Sequence, residues 1–442
     1  MTEGSPAKLI LRFAVPLLIG NLFQQFYSIV DSAVVGRFVG ENEFGGIGCT
    51  GSIDYLIFSL GYGMSAGIGV LVAMMFGAGE KERLTKAIYN SAYILLAVSA
   101  IITLVGVFGG PFLLTAMHTP KNLYPHALMY LRLMCIGSTG SMFYGGISSV
   151  MRSFGDSRTP LLILLFSCVL NIVLDLVFVL VLDLRVFGVA FATMIANFAS
   201  AVISYVAALR KLPLFRYRRG ALRPDKVLLK RIVRLGTPLA GQNMLIALSC
   251  MALQFVVNGF DDVIVTANTA VSKIDQLVQQ PFGTLATALS AYTGQNIGAH
   301  RGDRVKQGLG FCVKLVAAFS VTMVLVMQFG GKYFLSVFIE DPEIIAVGQT
   351  GLRITSSFYI FLGMLYVIRG VLNGAGDAMY SGINGIIELV CRFGLAAPLT
   401  MIPFVGHWGI FLCSGMTWMI TALISFVRYH TGSWKKALNM KV

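Results

Sequence analysis

The chain has 442 residues, 56% of them hydrophobic and only 12% charged, with a mean hydropathy of +0.77. That apolar share exceeds what a soluble chain of this length buries in its cores, so the composition excludes an ordinary soluble protein and points to the membrane. The formal net charge of +14 would suit a nucleic-acid partner, but in a membrane chain the basic residues first report topology.

Apolar runs of bilayer-crossing length recur at 9–35, 45–76, 87–110, 127–151, 160–182 and 186–209, then at 231–258, 264–293, 309–330, 347–372, 379–402 and 408–429. They predict an all-α polytopic membrane protein of twelve transmembrane helices. The first run keeps Asn21, Gln24, Gln25, Ser28, Asp31 and Ser32 on one helical face, which cannot face lipid. It has no convincing cleavage site and is expected to be a retained helix rather than a removed signal peptide. In the fifth run Ser167, Asn171 and Asp175 repeat at i, i+4 and i+8, and in the sixth Thr193 and Asn197 lie one turn apart. The eighth carries Lys273, Asp275, Gln276 and Gln279; the eleventh carries Asn384, Glu388 and Arg392 at helical spacing.

Lys and Arg fall on one side of these runs. The even-numbered connections, both ends and the central stretch hold twenty-five, Lys436 and Lys441 among them, whereas the odd-numbered connections hold Arg37, Lys121, Arg185 and Lys332. The central stretch alone includes Arg210, Lys211, Arg216, Arg218, Arg219, Arg223, Lys226, Lys230, Arg231 and Arg234. Both termini and this linker are therefore expected in the cytoplasm of a cell whose inner (plasma) membrane holds the chain. Topology alone demands such a basic loop, so no nucleic-acid partner is expected.

A shift of 221 residues superposes Gly77-Ala78 on Gly298-Ala299, Ile53-Asp54 on Ile274-Asp275, and Gly155-Asp156 on Gly376-Asp377. A shift of 222 places Pro16 on Pro238 and Val34-Val35 on Val256-Val257. The repeat divides the chain into an amino-terminal six-helix lobe (1–210), a basic linker (211–229) and a carboxy-terminal six-helix lobe (230–442). Six spans per lobe start both lobes on the same side, giving two lobes related by a pseudo-two-fold axis normal to the membrane. Two-lobed secondary transporters follow this plan, with the substrate path between the lobes.

Ionisable groups within hydrocarbon are costly and mark function by default. Asp31 and Asp175, with Asn171 and Thr193, supply two carboxylates, an amide and a hydroxyl, the hard oxygens that an alkali cation or a proton requires. Interhelical hydrogen bonds that only hold the bundle are the alternative for all of them, Asn197 and Ser167 especially. In the second half both signs are present, so Lys273 with Asp275, or Glu388 with Arg392, could neutralise each other.

There is no GxxxxGK[ST] loop, which excludes ATP as the direct energy source. The five histidines and seven cysteines lack metal-ligand spacing, and no cofactor is expected. Gly374-Ala375-Gly376-Asp377 spells the GxGD of intramembrane aspartyl proteases, but its repeat partner Gly155-Asp156 also lies in a loop and no Tyr-Asp helix motif accompanies it. An ordinary Gly-Asp turn explains it, and the chain is not expected to be an enzyme.

Gln24-Gln25 before Val30-Asp31 and Val35-Gly36, the ending Phe76-Gly77-Ala78-Gly79, its counterpart Gly294-Gln295-Asn296-Ile297-Gly298-Ala299, and Arg152-Ser153-Phe154-Gly155-Asp156-Ser157 together resemble the multidrug and toxic compound extrusion (MATE) family of cation-coupled antiporters. The resemblance covers the whole chain. In the DNA-damage-inducible-type branch it implies a cation bound by a first-helix Asp, a fifth-helix Asn and Asp one turn apart, and a sixth-helix Thr. Asp31, Asn171, Asp175 and Thr193 match in type and order, and Na+ or H+ would be the coupling ion. The seventh helix lacks the acidic residue that another bacterial branch uses in its carboxy-terminal lobe, and Met74-Met75 stands opposite Gln295-Asn296. The resemblance implies export of amphipathic, often cationic, compounds by a monomer. Gln24, Gln25, Ser28, Asn197, Asp275, Gln276, Gln279, Glu388 and Arg392 are the expected substrate-cavity residues. The alternative is a lipid-linked saccharide flippase of the same superfamily, which would be expected to carry a more cationic central cavity than the acidic and neutral groups of the first half supply.

Overall fold

Apolar chain in hydrocarbon satisfies its backbone polar groups only within helices or closed barrels, and this chain takes the helical solution. The computed structural model describes residues 1–215, 220–432, 434 and 435, without the side chains at 32–34 and 41. Arg216, Arg218, Arg219, Lys436 and Lys441, and the side chains of Ser32 and Val34, lie outside the described residues.

The helices are α1 (Pro6–Phe38), α2 (Glu41–Ala78), α3 (Lys81–Leu104), α4 (Gly110–Ala116), α5 (Tyr124–Ile136), α6 (Ser138–Ser153), α7 (Arg158–Leu176) and α8 (Arg185–Lys211). They continue as α9 (Lys226–Val257), α10 (Asp262–Gly298), α11 (Gly302–Leu335), α12 (Pro342–Ser356), α13 (Tyr359–Gly374), α14 (Ala378–Met401) and α15 (Gly409–His430). A π-helical turn, Val105–Gly109, carries α3 into α4, and another, Val177–Val181, extends α7.

With α3–α4, α5–α6 and α12–α13 each taken as one crossing, these helices make the twelve spans that the hydropathy predicts. Nine pass outright on length and hydropathy among the described residues, and α12–α13 passes as a pair bent by 48°. The two that do not pass, α5–α6 and α10, are more polar. For α10 the reason is its position: every residue from Tyr292 to Gly298 is buried, so protein rather than lipid surrounds much of this helix.

The internal repeat is visible in the backbone. The fourth crossing breaks at Gly137 and the tenth at 357–358, about one repeat apart. The second helix of each half ends on a left-handed residue, Gly79 (φ 76°) and His300 (φ 57°), and the loop after the fourth crossing turns on Gly155 (φ 90°) and Gly376 (φ 77°). Glycine takes that conformation without the clash a Cβ would bring. After each Gly comes an aspartate tied to the last helix of its half: Lys211 Nζ lies 3.5 Å from Asp156, and Arg428 holds Asp377 at 3.0 and 3.1 Å.

Two compact units divide the chain, one spanning Val15–Gly241, the other Met1–Ala14 with the chain from Gln242 onward. The divisions fall inside α1 and α9, close to Pro16 and Pro238. In the first unit α6 packs on α2 and α8, and α7 on α8; in the second α10 packs on α13, and α14 on α15. The start of α9 lies so close to α2 that a Cβ added to Gly67 would stand 2.6 Å from Gly236 Cα. Small residues permit this approach, which in lipid is the chief source of helix–helix attraction. Phe215 and residues 222–225 are tied to α3. Tyr89 and Tyr93 donate to the carbonyls of Phe215 and Leu222, both at 2.7 Å, and buried Asn90 bonds the Arg223 carbonyl at 3.3 Å and the Asp225 amide at 2.8 Å.

Arg369 departs from the expectation that places it in a connection. It lies within α13 with its side chain only 12% exposed, because a buried carboxylate on α14 gives it a partner there.

Candidate functional site

In the unit spanning Val15–Gly241, α1 presents Tyr27 and Asp31 one turn apart, α7 presents Asn171 and Asp175 one turn apart, and α8 contributes Thr193. The structure brings all five together. Tyr27 donates its hydroxyl hydrogen to Asn171 Oδ1. Asn171 Nδ2 in turn donates to Thr193 Oγ1 at 3.5 Å, and that hydroxyl donates to the Val189 carbonyl at 3.1 Å. Asn171 and Asp175 are 3% and 1% exposed.

The carboxyls of Asp31 and Asp175 lie beside each other, close enough for each to perturb the other. Neither oxygen of Asp175, nor Asp31 Oδ1, receives a hydrogen bond from the described protein groups. Two carboxylates so close in a low-dielectric interior repel unless a proton or a metal cation lies between them. The amide and hydroxyl beside them are neutral, and among the described residues no Lys, Arg or His forms an ion pair with either carboxyl. The arrangement is thus chemically suited to take up one positive charge and to release it.

Other predicted residues are dispersed. Gln24, Gln25 and Ser28 are exposed, Asn197 is half-buried, and Ser167 bonds to the Ala196 carbonyl at 3.4 Å. Three neighbours of the site were not singled out from sequence. Tyr27 could have been found as the residue one turn before Asp31. Asp54 on α2 accepts from Thr50 at 2.8 Å and has a second buried oxygen without a partner. Tyr130 on α5 lies within electrostatic reach of Asp54, Asp31 and Asp175. The repeat that matches Asp54 with Asp275 was the available signal for Asp54.

In the other unit the charges pair differently from the helical-spacing expectation. Glu388 meets Arg369 of α13, not Arg392 one turn along α14, and the same guanidinium donates to Asn384. Asn384 also accepts from Gln242 at 3.4 Å and donates to Ser425 at 3.0 Å. Arg392 bonds Ser249 Oγ at 2.9 Å and Cys250 Sγ at 2.7 Å. Lys273 and Gln276 are exposed, and Asp275 turns from Lys273 to the hydroxyls of Tyr359 and Thr355. Gln279 accepts from Tyr366 at 3.2 Å. Lys273 and Asp275 are only two residues apart, which on a helix puts them on different faces.

Comparison with known proteins agrees with this architecture. The family model described as MatE matches residues 16–177 and 238–401. Its two stretches begin at Pro16 and Pro238, at the repeat offset. The probable multidrug resistance protein YpnP of Bacillus subtilis is 28% identical over 437 residues, covering 98% of this chain and 97% of its own. The probable multidrug resistance protein YoeA of the same organism is 26% identical over 438 residues, covering 96% and 93%. A solved outward-facing multidrug resistance MATE family transporter of the MOP superfamily superposes with a TM-score of 0.90 at 22% identity, over 99% of this chain and 98% of that one. With the family's pattern present once in each half and the fold shared over the whole length, the chain belongs to the MatE family: it is a multi-pass MATE transporter and not an enzyme.

Proposed function

We propose that this protein is a secondary active multidrug efflux antiporter that exports amphipathic, often cationic, compounds in exchange for Na+ or H+ by alternating access. The observation that carries the reading is the Asp31–Asp175 pair: a half-buried and a buried carboxyl beside each other, short of protein donors, with Asn171, Thr193 and Tyr27 alongside. An ion entering down its gradient occupies the pair and neutralises it. Its arrival favours reorganisation of α1 near Pro16 and outward release of substrate, and substrate binding from inside accompanies its departure. The order of Asp31, Asn171, Asp175 and Thr193 supports the DNA-damage-inducible-type branch, and the relatives' names support drugs as the cargo. The distribution of Lys and Arg supports both termini in the cytoplasm and residence in the inner (plasma) membrane.

Purified protein in proteoliposomes, loaded with a fluorescent cationic dye and given a sodium or a proton gradient separately, tests the reading. Efflux driven by one of the gradients and lost in Asp31→Asn is the expected result. No efflux under either gradient would overturn it and favour flipping of a lipid-linked saccharide.

A further inference from the structure

Asp275 is the carboxylate for which the Asp31–Asp175 mechanism has no use. It lies on α10, 6% exposed. Its Oδ1 accepts the Tyr359 hydroxyl at 2.6 Å and the Thr355 hydroxyl at 3.3 Å, and those two residues are 0% and 1% exposed. Thr355 belongs to the last turn of α12 and Tyr359 is the first residue of α13, so the carboxyl ties together the two sides of the 48° bend. Trp418 of α15 packs near the Tyr359 ring, centroids 6.5 Å apart.

No basic side chain neutralises Asp275 among the described residues. Lys273 on its own helix and Lys314 on α11 are exposed. Arg353 of α12 donates to the Gln328 carbonyl, Arg369 of α13 is taken by Glu388, Arg392 of α14 is taken by Ser249 and Cys250, and Arg428 of α15 is taken by Asp377. The titratable group that faces it is Tyr359. Two neutral hydroxyls stabilise a buried anion, but they offset only part of its desolvation, and the remainder needs a positive charge.

The oxygens around Asp275 select which charge. Besides its own carboxyl the site offers the Tyr359 and Thr355 hydroxyls, and Thr355 Oγ1 also lies 3.5 Å from the Leu352 carbonyl, whereas a metal cation needs several oxygen lone pairs around it. A proton needs one, on Oδ2. The first half repeats the device in simpler form: Asp54, 221 residues earlier, accepts from the Thr50 hydroxyl at 2.8 Å.

We propose that Asp275 is an exchangeable proton-binding site of the carboxy-terminal lobe, distinct from the Asp31–Asp175 pair and coupled to the α12–α13 bend through Tyr359 and Thr355. On loading, a hydronium ion transfers its proton to Oδ2: the O–H bond forms there, water departs and the carboxylate charge disappears. The hydroxyl contacts then change from charge-assisted to neutral hydrogen bonds and weaken, so the hold on the bend loosens. Unloading reverses each step. The site is a property of the buried carboxyl and stands whether or not the chain exports drugs.

Infrared difference spectroscopy of the full chain in lipid nanodiscs, stepped between acid and alkaline pH, reads the C=O stretch of protonated carboxyls. In the Asp31→Asn/Asp175→Asn background a titrating buried-carboxyl band is expected to remain, to lose one component when Asp275→Asn is added, and to shift in frequency with Tyr359→Phe. Identical spectra with and without Asp275 would overturn the site. So would sodium added at constant pH if it removed the Asp275 component, since a metal cation would then be its ligand. Should Asp275→Asn fail to fold, the Tyr359→Phe arm decides: an unshifted band overturns the proposal.

Discussion

Arg369 on α13 holds Glu388 and Asn384 on α14 at once, so this ion pair runs between helices and joins a chain of hydrogen bonds through Ser425 to Tyr380. The Glu388 side chain is only 5% exposed. Removing one member of a buried pair leaves an uncompensated charge, at a cost of about 3–5 kcal/mol. Glu388→Gln and Arg369→Gln are each expected to lower thermal stability in detergent strongly, and the double variant less than the two effects added. Arg392→Gln is expected to couple to Glu388→Gln more weakly than Arg369→Gln does, since Arg392 makes its hydrogen bonds to Ser249 and Cys250. Additive losses for Glu388 and Arg369 would show that they do not stabilise as a pair.

Asp31 and Asp175 are expected to behave as one unit. Asp31→Asn and Asp175→Asn should each reduce gradient-driven dye efflux to background while the protein remains folded and inserted, with the double variant little worse than either single one. Any gain in melting temperature conferred by sodium or by acid at this pair should vanish in both. Near wild-type efflux by Asp31→Asn under an imposed gradient would remove the pair from the mechanism.

Much of this architecture could be read before any coordinates. Apolar runs fall on all twelve crossings, though α5–α6 and α10 are more polar than the other ten, and the 221-residue offset marks where the backbone repeats itself at Gly155 and Gly376. Spacing of i and i+4 also finds Asn171 with Asp175, because residues one turn apart share a helix face. What spacing does not carry is which face meets which neighbour. Arg369 and Glu388 lie on different helices, so no within-helix rule could pair them. Lys273 and Asp275 looked like partners only because they are close in sequence. The bend at 357–358 was hidden for another reason: hydropathy averages over a window and does not register direction.

Asp156 offers a pH-dependent measurement outside the crossings. Burial pushes its carboxyl up, but hydrogen bonds from the Thr159 side chain and amide and the charge of Lys211 outweigh this and hold it below the usual carboxylate range. A depressed folded-state value stabilises the protein above the unfolded value of about 3.9, and this contribution is lost as pH falls through the folded value. Both side chains are partly exposed, so the effect is limited to about 1 kcal/mol. Asp156→Asn should therefore melt slightly lower than wild type at neutral pH, with the difference closing in acid. A difference that persists unchanged in acid would show that charge is not its source.

The topology is open to a labelling test. A cysteine placed at Gly220 should react with an impermeant thiol reagent in inverted membrane vesicles and stay unmodified in intact cells. Modification from outside would reverse the assigned orientation.

The ties from α3 to Phe215 and to residues 222–225 reach further. Tyr89, Asn90 and Tyr93 grip peptide carbonyls and an amide, groups that every residue at those positions would offer, proline's missing amide at 225 excepted. At 222 and 223 the grip is on the main chain and is indifferent to the side chain. The exposed side chains of Leu222, Arg223 and Pro224 are free to drift, while buried Phe215 and Ala221, the Asp225 carboxyl that caps α9, and the three residues on α3 are not.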